Sequence, residues 1–121
     1  MAMSCTITAS THTSVKKVSF VWVSAANGTA SGTTTTAFDG QIIGMATIPA
    51  GGGSAPTDEY DVTGTDAGSH DVLLGAGANR DTANTEYVAG TSLAGVAGSA
   101  MTINVTNAGD TKGGTLILWI R

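Results

Sequence analysis

The chain has 121 residues, a length that fits one domain built around one core. Charged residues make up only 12% of it, whereas an ordinary soluble domain contains about a quarter. The net charge is −4 and the five basic residues are scattered, so a phosphate-tracking surface is excluded and nucleic acid is not an expected partner.

The small residues alanine, glycine, serine and threonine together exceed half of the chain. Threonine suits strands, because its β-branched side chain packs well on a pleated face, and it suits the solvated face of a helix poorly. The composition therefore predicts an all-β protein. Residues 1–121 are expected to form a single β-sandwich domain.

The first residues have no basic start and no apolar run, so we expect no secretory signal and synthesis in the cytoplasm. Two long uncharged stretches, Val18–Phe38 and Tyr87–Gly109, contain too many small polar residues to span a membrane, and no membrane partner is expected. Cys5 is the single cysteine, so the fold cannot depend on a disulfide within the chain.

Short β-prone runs alternate with turn signals about every eight to twelve residues, which is typical of a sandwich or jelly roll. The expected fold is an antiparallel β-sandwich of jelly-roll type with about eight strands. The runs that predict strands are Ser4–Ser10, Lys16–Ser24, Thr33–Phe38, Gln41–Ile48, Glu59–Thr65, Asp71–Leu74, Thr85–Val88, Met101–Thr106 and Thr115–Ile120.

Three places in the sequence predict tight hairpins. Asn27-Gly28 and Asp39-Gly40 supply the positive φ angles that short reversals need. The run Met101–Thr106 alternates apolar and polar residues and leads through a glycine-rich turn into the last strand, Thr115–Ile120. These last two strands are therefore expected to pair with each other.

Two segments predict irregular structure. Ile48–Asp58 contains both prolines and three consecutive glycines, and it is expected to be a loop between the sheets. Ala89–Ala100 is a low-complexity run of small residues, for which the sequence leaves two alternatives open, a short helix or a loosely packed crossover.

No motif in the sequence predicts catalysis. Gly75–Arg80 resembles a dinucleotide loop, but it lacks the third glycine and a following helical pattern, so a glycine-rich turn is expected and no cofactor is assigned. His70 and Asp71 are adjacent, and adjacent residues of a strand point to opposite faces. We therefore expect no enzymatic activity and assign no catalytic residue.

Two sets of residues in the sequence are of types that bind metal ions. One cysteine and two separated histidines cannot complete a zinc site. Five acidic residues lie between Asp58 and Asp71, where carboxylate oxygens could hold Ca²⁺, but their order does not match an EF-hand loop. Solvated carboxylates at strand ends are the favoured interpretation, and no metal ligand is assigned.

Two strands, Lys16–Ser24 and Thr115–Ile120, carry apolar side chains on both faces. We expect one set of side chains in the core: Val18, Phe20, Trp22, Ile103, Val105 and Leu118. We expect a second set at an interface between subunits, because monomers rarely leave such patches in water: Val21, Val23, Ile117 and Trp119. The alternative is that both strands are central and that loops of the same chain cover their outer faces.

Two runs in the chain have a familiar pattern, "IIGMATIPAGGGSAPTDEYDVTGTDAGSHDVLLGAGANRDT" and "MTINVTNAGDTKGGTLIL". They resemble small β-rich virion structural proteins of tailed bacteriophages, above all capsid decoration (cement) proteins with jelly-roll-like folds. The likeness extends from Gly40 to the end and rests on turn and core residues, and Gly64 departs from the expected alternation.

The resemblance implies a protein on the outer surface of a shell of major capsid protein, where it clamps neighbouring capsomers. It also implies contacts between copies, as a dimer or trimer, and no active-site residues. A tail or neck component of the virion is one alternative. A carbohydrate- or calcium-binding β-sandwich is a second alternative, from a different functional class.

Overall fold

The computed structural model describes residues 2–121 and is all-β. Two 3₁₀ turns, Gly52–Ser54 and Gly90–Ser92, interrupt the strands. The strands are β1 (Ser4–His12), β2 (Val15–Val23), β3 (Ala30–Thr33), β4 (Phe38–Pro49), β5 (Asp61–Thr65), β6 (Glu86–Ala89), β7 (Gly95–Ser99), β8 (Thr102–Thr106) and β9 (Gly113–Ile120).

The strands form two antiparallel sheets. The larger sheet has the order β1-β2-β9-β4-β6, with β7 also paired to β4, and the smaller sheet has the order β3-β8-β5. β6 and β7 lie one after the other along the same edge of β4, since Glu86 opposes Thr47 and Ser99 opposes Phe38. They therefore act as one edge strand that the turn Gly90–Ser92 interrupts.

The buried side chains of the larger and the smaller sheet form one hydrophobic core cluster. The six side chains expected there are all buried, with at most 1% of their surface exposed: Val18, Phe20, Trp22, Ile103, Val105 and Leu118. The glycine pair that begins the last strand makes room for this packing. A Cβ at Gly114 would lie 2.7 Å from a ring carbon of Trp22, so only a glycine allows the indole to lie against β9.

All three predicted hairpins are wrong, because pairing in this fold joins distant strands. Asn27-Gly28 turns with φ +82° at the glycine, but it connects β2 to β3 in the other sheet. Asp39-Gly40 lies inside β4, at a register shift against β7. β8 pairs with β3 and β5, whereas β9 pairs with β2 and β4, so the last two strands belong to different sheets.

The predicted strand Thr33–Phe38 is also wrong over most of its length. β3 ends at Thr33 and a bend follows before β4 begins. The Thr34 hydroxyl donates to the Thr36 carbonyl (2.8 Å) and accepts from the Met101 N–H (3.0 Å). These local bonds give the backbone an alternative to a ladder, and they outweigh the β propensity of the threonine run.

The predicted strand Asp71–Leu74 is replaced by consecutive turns. Asp71 forms a single bridge with Thr65, and its carboxylate accepts the N–H groups of Leu73 and Gly75, each at 3.0 Å. The segment 71–80 nevertheless runs beside β5, where the Val62 N–H donates to the Gly77 carbonyl (2.8 Å). It covers the edge of β5 without becoming a regular strand.

The segment Ala89–Ala100 forms neither of its two expected structures throughout. It contains the 3₁₀ turn, and then β7 extends the edge of the larger sheet. The buried side chains of Leu93 and Val96 hold the segment against the core. The remaining predicted strands are present, with ends that differ by a few residues.

Candidate interaction surface on the larger sheet

The outer face of the larger sheet is the side that points away from the smaller sheet. On β2 the residues Val18, Phe20 and Trp22 are buried in the core cluster. Because side chains alternate along a strand, Val21 and Val23 point to the outer face. The same alternation on β9 buries its even-numbered residues from Leu116 onward and directs the odd-numbered ones outward.

The register of the sheet brings the expected interface residues together. Ile117 of β9 opposes Ser19 of β2 on one side and Ala46 of β4 on the other, and Ala46 in turn opposes Tyr87 of β6. Residues directly opposite each other share a face. One row therefore crosses four strands and contains three neighbouring apolar side chains.

Two further rows extend this surface. Trp119 lies opposite Gly44, and its ring approaches to 3.4 Å of the place where a Cβ of that glycine would be. Val21 lies opposite Thr115, which lies opposite Ile48. Val23 lies two residues beyond Val21 on the same face. We call these outward apolar side chains the outer patch, which consists of Val21, Val23, Ile48, Tyr87, Ile117 and Trp119.

Exposure divides the outer patch into two groups. Tyr87 is 75% exposed and Val21 is 50% exposed, which are unusual values for large apolar side chains within strands. Val23, Ile48, Ile117 and Trp119 are half-buried. The Trp119 ring is half-buried where it lies over Gly44. The solvent-facing part of the patch is therefore formed by Tyr87 and Val21.

A groove of about 450 Å³ continues the outer patch at the end of the sheet near the β8–β9 connection. Val21, Val23, Ile48 and Pro49 contribute apolar walls, and the backbone of Gly113-Gly114 contributes to the floor. The groove is shallow and mostly apolar, which suits the side chains of another protein better than a small polar ligand.

The acidic residues between Asp58 and Asp71 do not form a common site. The Asp66 carboxylate accepts the N–H groups of His70 and Gly68, both at 3.0 Å, and these bonds hold its pKa below the ordinary value. The Asp61 carboxylate accepts from Asn107 Nδ2 (2.7 Å). Within residues 2–121, no three His, Cys, Asp or Glu side chains are grouped closely enough to hold a metal ion.

The cysteine and one of the two histidines, Cys5 and His12, lie near opposite ends of β1. Cys5 lies on the inner face of β1 against Gly32, and burial raises the pKa of its thiol, which disfavours the reactive thiolate. His12 is at the far end of β1, where its ring contacts the Ser10 hydroxyl (3.0 Å). Gly75–Arg80 forms turns, as the sequence predicted.

Comparisons with known proteins find no family model that matches the chain and no curated protein that matches it significantly. In the described part of the chain, no helix is long and apolar enough to cross a membrane. The outer patch is therefore interpreted from its own geometry.

Two members of the outer patch, Tyr87 and Ile48, were not predicted from the sequence. Tyr87 lies in a correctly predicted short strand, and its alternation with Val88 was available in the sequence. The missing information was the partner of that strand, because only pairing with β4 brings Tyr87 into the same row as Ile117.

Proposed function

We propose that this protein is a virion structural protein of a tailed bacteriophage, a decoration protein that binds the shell of major capsid protein from outside and stabilises it. The observation that carries this proposal is the outer patch, an apolar surface on a regular sheet with Tyr87 and Val21 in solvent. A protein whose function is to bury surface against a neighbour requires such a patch and no catalytic group.

The strand pairing supports a jelly-roll sandwich, the fold expected for such a protein. In a jelly roll, an antiparallel ribbon is rolled up so that strands from its two ends become neighbours. Here β2 pairs with β9, β3 with β8 and β4 with β7, and the roll also brings β9 beside β4 and β8 beside β5. The segment 71–80 occupies the position of the remaining strand beside β5.

The energetics of the outer patch are consistent with binding to a repeating lattice. Full burial of one exposed large apolar side chain contributes about 1.5–3 kcal/mol. Tyr87 and Val21 offer most of this exposed apolar surface, and the four half-buried side chains of the patch add less. Binding to the assembled shell but not to its separate subunits adds stability to the assembled state. The low charge of the chain also limits repulsion between copies that lie side by side.

The test compares particles with and without this protein. Particles produced after deletion of its gene are expected to release DNA at a lower temperature than complete particles. Addition of the purified protein is expected to raise the release temperature back to that of complete particles. The double variant Val21→Thr/Tyr87→Ser should bind the depleted particles at least about tenfold more weakly, because the patch loses its two most exposed apolar groups.

Leu74→Ser is the matched control, because Leu74 is 63% exposed but lies outside the outer patch. This variant should bind the depleted particles as the wild type does. Particles that are equally robust without the protein would contradict the decoration role. A label found at one end of the particle, and not over its shell, would contradict it in favour of a tail or neck component.

A further inference from the structure

The edge of the larger sheet at β1 has one side without a strand partner. β1 pairs with β2 through the loop Thr13-Ser14, so that His12 opposes Val15. In a two-residue loop the β-turn bond joins the residues that flank it, so His12 and Val15 form a hydrogen-bonded pair. Hydrogen-bonded and non-bonded pairs then alternate along the ladder.

This alternation assigns every second residue of β1 to the open edge. The even-numbered residues bond to β2, while Cys5, Ile7, Ala9 and Thr11 direct their N–H and C=O groups away from it. The other side of β2 gives an independent check. There the Ser24 N–H donates to the Lys112 carbonyl (2.7 Å), so the even-numbered residues of β2 bond to β9 and the odd-numbered ones to β1.

The other sheet edges in the described chain are short, interrupted or covered. β3 has only four residues, and the 3₁₀ turn divides the edge that β6 and β7 form. The segment 71–80 covers β5, with a second bond from the Val72 N–H to the Gly64 carbonyl (2.7 Å). β1 is different, because it is nine residues long and regular in its register.

β1 also lacks the usual protection against pairing with another strand. Natural edge strands are commonly blocked by lysine, proline or a bulge. The sequence of β1, SCTITASTH, contains no proline and no lysine, arginine, aspartate or glutamate, and three of its residues are threonine. Its composition therefore favours a strand partner and sets up no charge repulsion with an identical strand.

We propose that β1 pairs antiparallel with β1 of a second copy of this chain, around a two-fold axis at Thr8. Thr8 is the central residue of the strand, so this register overlaps its whole length. It sets Ile7 opposite Ala9 of the second copy and Cys5 opposite Thr11. Each residue whose backbone N–H and C=O groups point to the open edge therefore lies opposite a residue of the second copy whose groups do the same. The two copies thus contribute the same surface to the contact, as an isologous interface requires.

The consequence is one continuous sheet through two subunits. The outer patches of the two copies would then lie on the same face of that sheet, and a bivalent partner surface could engage both. This pairing does not rest on the proposed function, because it uses the backbone edge of β1 and not the outer patch.

The test uses charge at the two-fold axis. Thr8 is exposed, and its backbone N–H and C=O groups point toward β2. Thr8 and Thr8 of the second copy therefore form a non-hydrogen-bonded pair, in which the two Cα atoms are only about 4.5 Å apart. Thr8→Lys and Thr8→Glu should each sediment at the chain mass of 12.0 kDa, whereas wild type should sediment at twice that mass. A mixture of the two variants should recover the double mass, because opposite charges then meet at the axis.

Thr63→Lys is the matched control, since Thr63 is an exposed residue in the middle of β5. It should remain a dimer. Hydrogen exchange gives a second measurement, in which the amides of Ile7 and Ala9 should exchange about tenfold more slowly in wild type than in Thr8→Lys.

Two results would overturn the proposal. One is a wild-type protein that sediments at the chain mass at all accessible concentrations. The other is a dimer that both Thr8 variants leave intact and that Val21→Thr/Tyr87→Ser dissociates. Neither result depends on particle binding, so failure of the β1 pairing and failure of the decoration role are distinguishable.

Discussion

At the scale of single residues, the most unusual group in the core is the hydroxyl of Tyr60. The ring packs against Trp22 with 5.6 Å between centroids, and only 1% of the residue is exposed. In the described part of the chain, neither the Tyr60 hydroxyl nor the Thr47 hydroxyl, also buried, has a partner with hydrogen-bond geometry. A buried hydroxyl without a partner carries a desolvation cost.

Burial raises the pKa of Tyr60 to about 12, and the nearby Thr47 hydroxyl and Arg80 charge only partly oppose this effect. An unfolded tyrosine has a pKa of about 10, so at alkaline pH the unfolded chain loses this proton before the folded chain does. The contribution of neutral Tyr60 to stability is therefore complete below about pH 10 and is lost as pH rises toward 12.

Tyr60→Phe is expected to keep the ring contact and remove the hydroxyl. At pH 7 its free energy of unfolding should equal or exceed that of wild type to within about 1 kcal/mol. Between about pH 10 and 12 its free energy of unfolding should fall by roughly 2–3 kcal/mol less than that of wild type. Urea denaturation across this range measures both effects.

Tyr87→Phe is the control for this comparison, because the same atom is removed from an exposed residue. It should follow the wild-type alkaline profile. If Tyr60→Phe and wild type lose stability in parallel above pH 10, the burial of the Tyr60 hydroxyl does not govern this transition.

At the scale of elements, the segment 71–80 shows how turns can replace a strand. Leu73 is fully buried and packs over Gly64, where a Cβ would lie 3.3 Å from its Cγ. This contact also explains why a glycine interrupts the apolar alternation of β5. The neighbouring Leu74 is 63% exposed. Leu73 therefore attaches the segment to the core, whereas Leu74 points into solvent.

Leu73→Ala should lower the free energy of unfolding by about 2–5 kcal/mol, because it leaves a cavity under the segment. Leu74→Ala should change it by no more than about 0.5 kcal/mol. Chemical denaturation of the two variants measures the difference. Equal effects of the two substitutions would show that the segment does not dock through Leu73.

At the scale of the whole molecule, β9 connects parts of the chain that are far apart in sequence. It lies between β2 and β4, and its side chains Leu116, Leu118 and Ile120 are all buried in the core. β1 has a similar length, but it lies at an edge, and of its inward side chains Cys5 and Ile7 are half-buried while Ala9 and Thr11 are exposed. The two strands should therefore differ in their importance for cooperative folding.

A chain that ends after Gly114 should show no cooperative unfolding transition, because it lacks the central strand of the larger sheet. The control deletes residues 4–12, an edge strand, and should retain a cooperative transition at reduced stability. Circular dichroism during thermal unfolding measures both. A truncated chain that still unfolds cooperatively without β9 would contradict the central role of this strand.

The candidate site could be predicted from the sequence only in part. The alternation of Val21 and Val23 against Phe20 and Trp22 is a property of one strand, so the sequence was enough to separate an inner from an outer face. The addition of Tyr87 needed the pairing of β6 with β4. The hairpin predictions were wrong for the same reason, because a turn signal indicates that the chain reverses but not which sheet it enters next.

The sequence by itself determined the all-β class, most strand positions and the side chains that each central strand turns inward, because propensity and alternation act between neighbouring residues. Only the tertiary structure decided that β8 and β9 belong to different sheets and that β1 is left with an open edge. Strand order depends on which distant surfaces bury each other best, and that competition involves the whole chain at once.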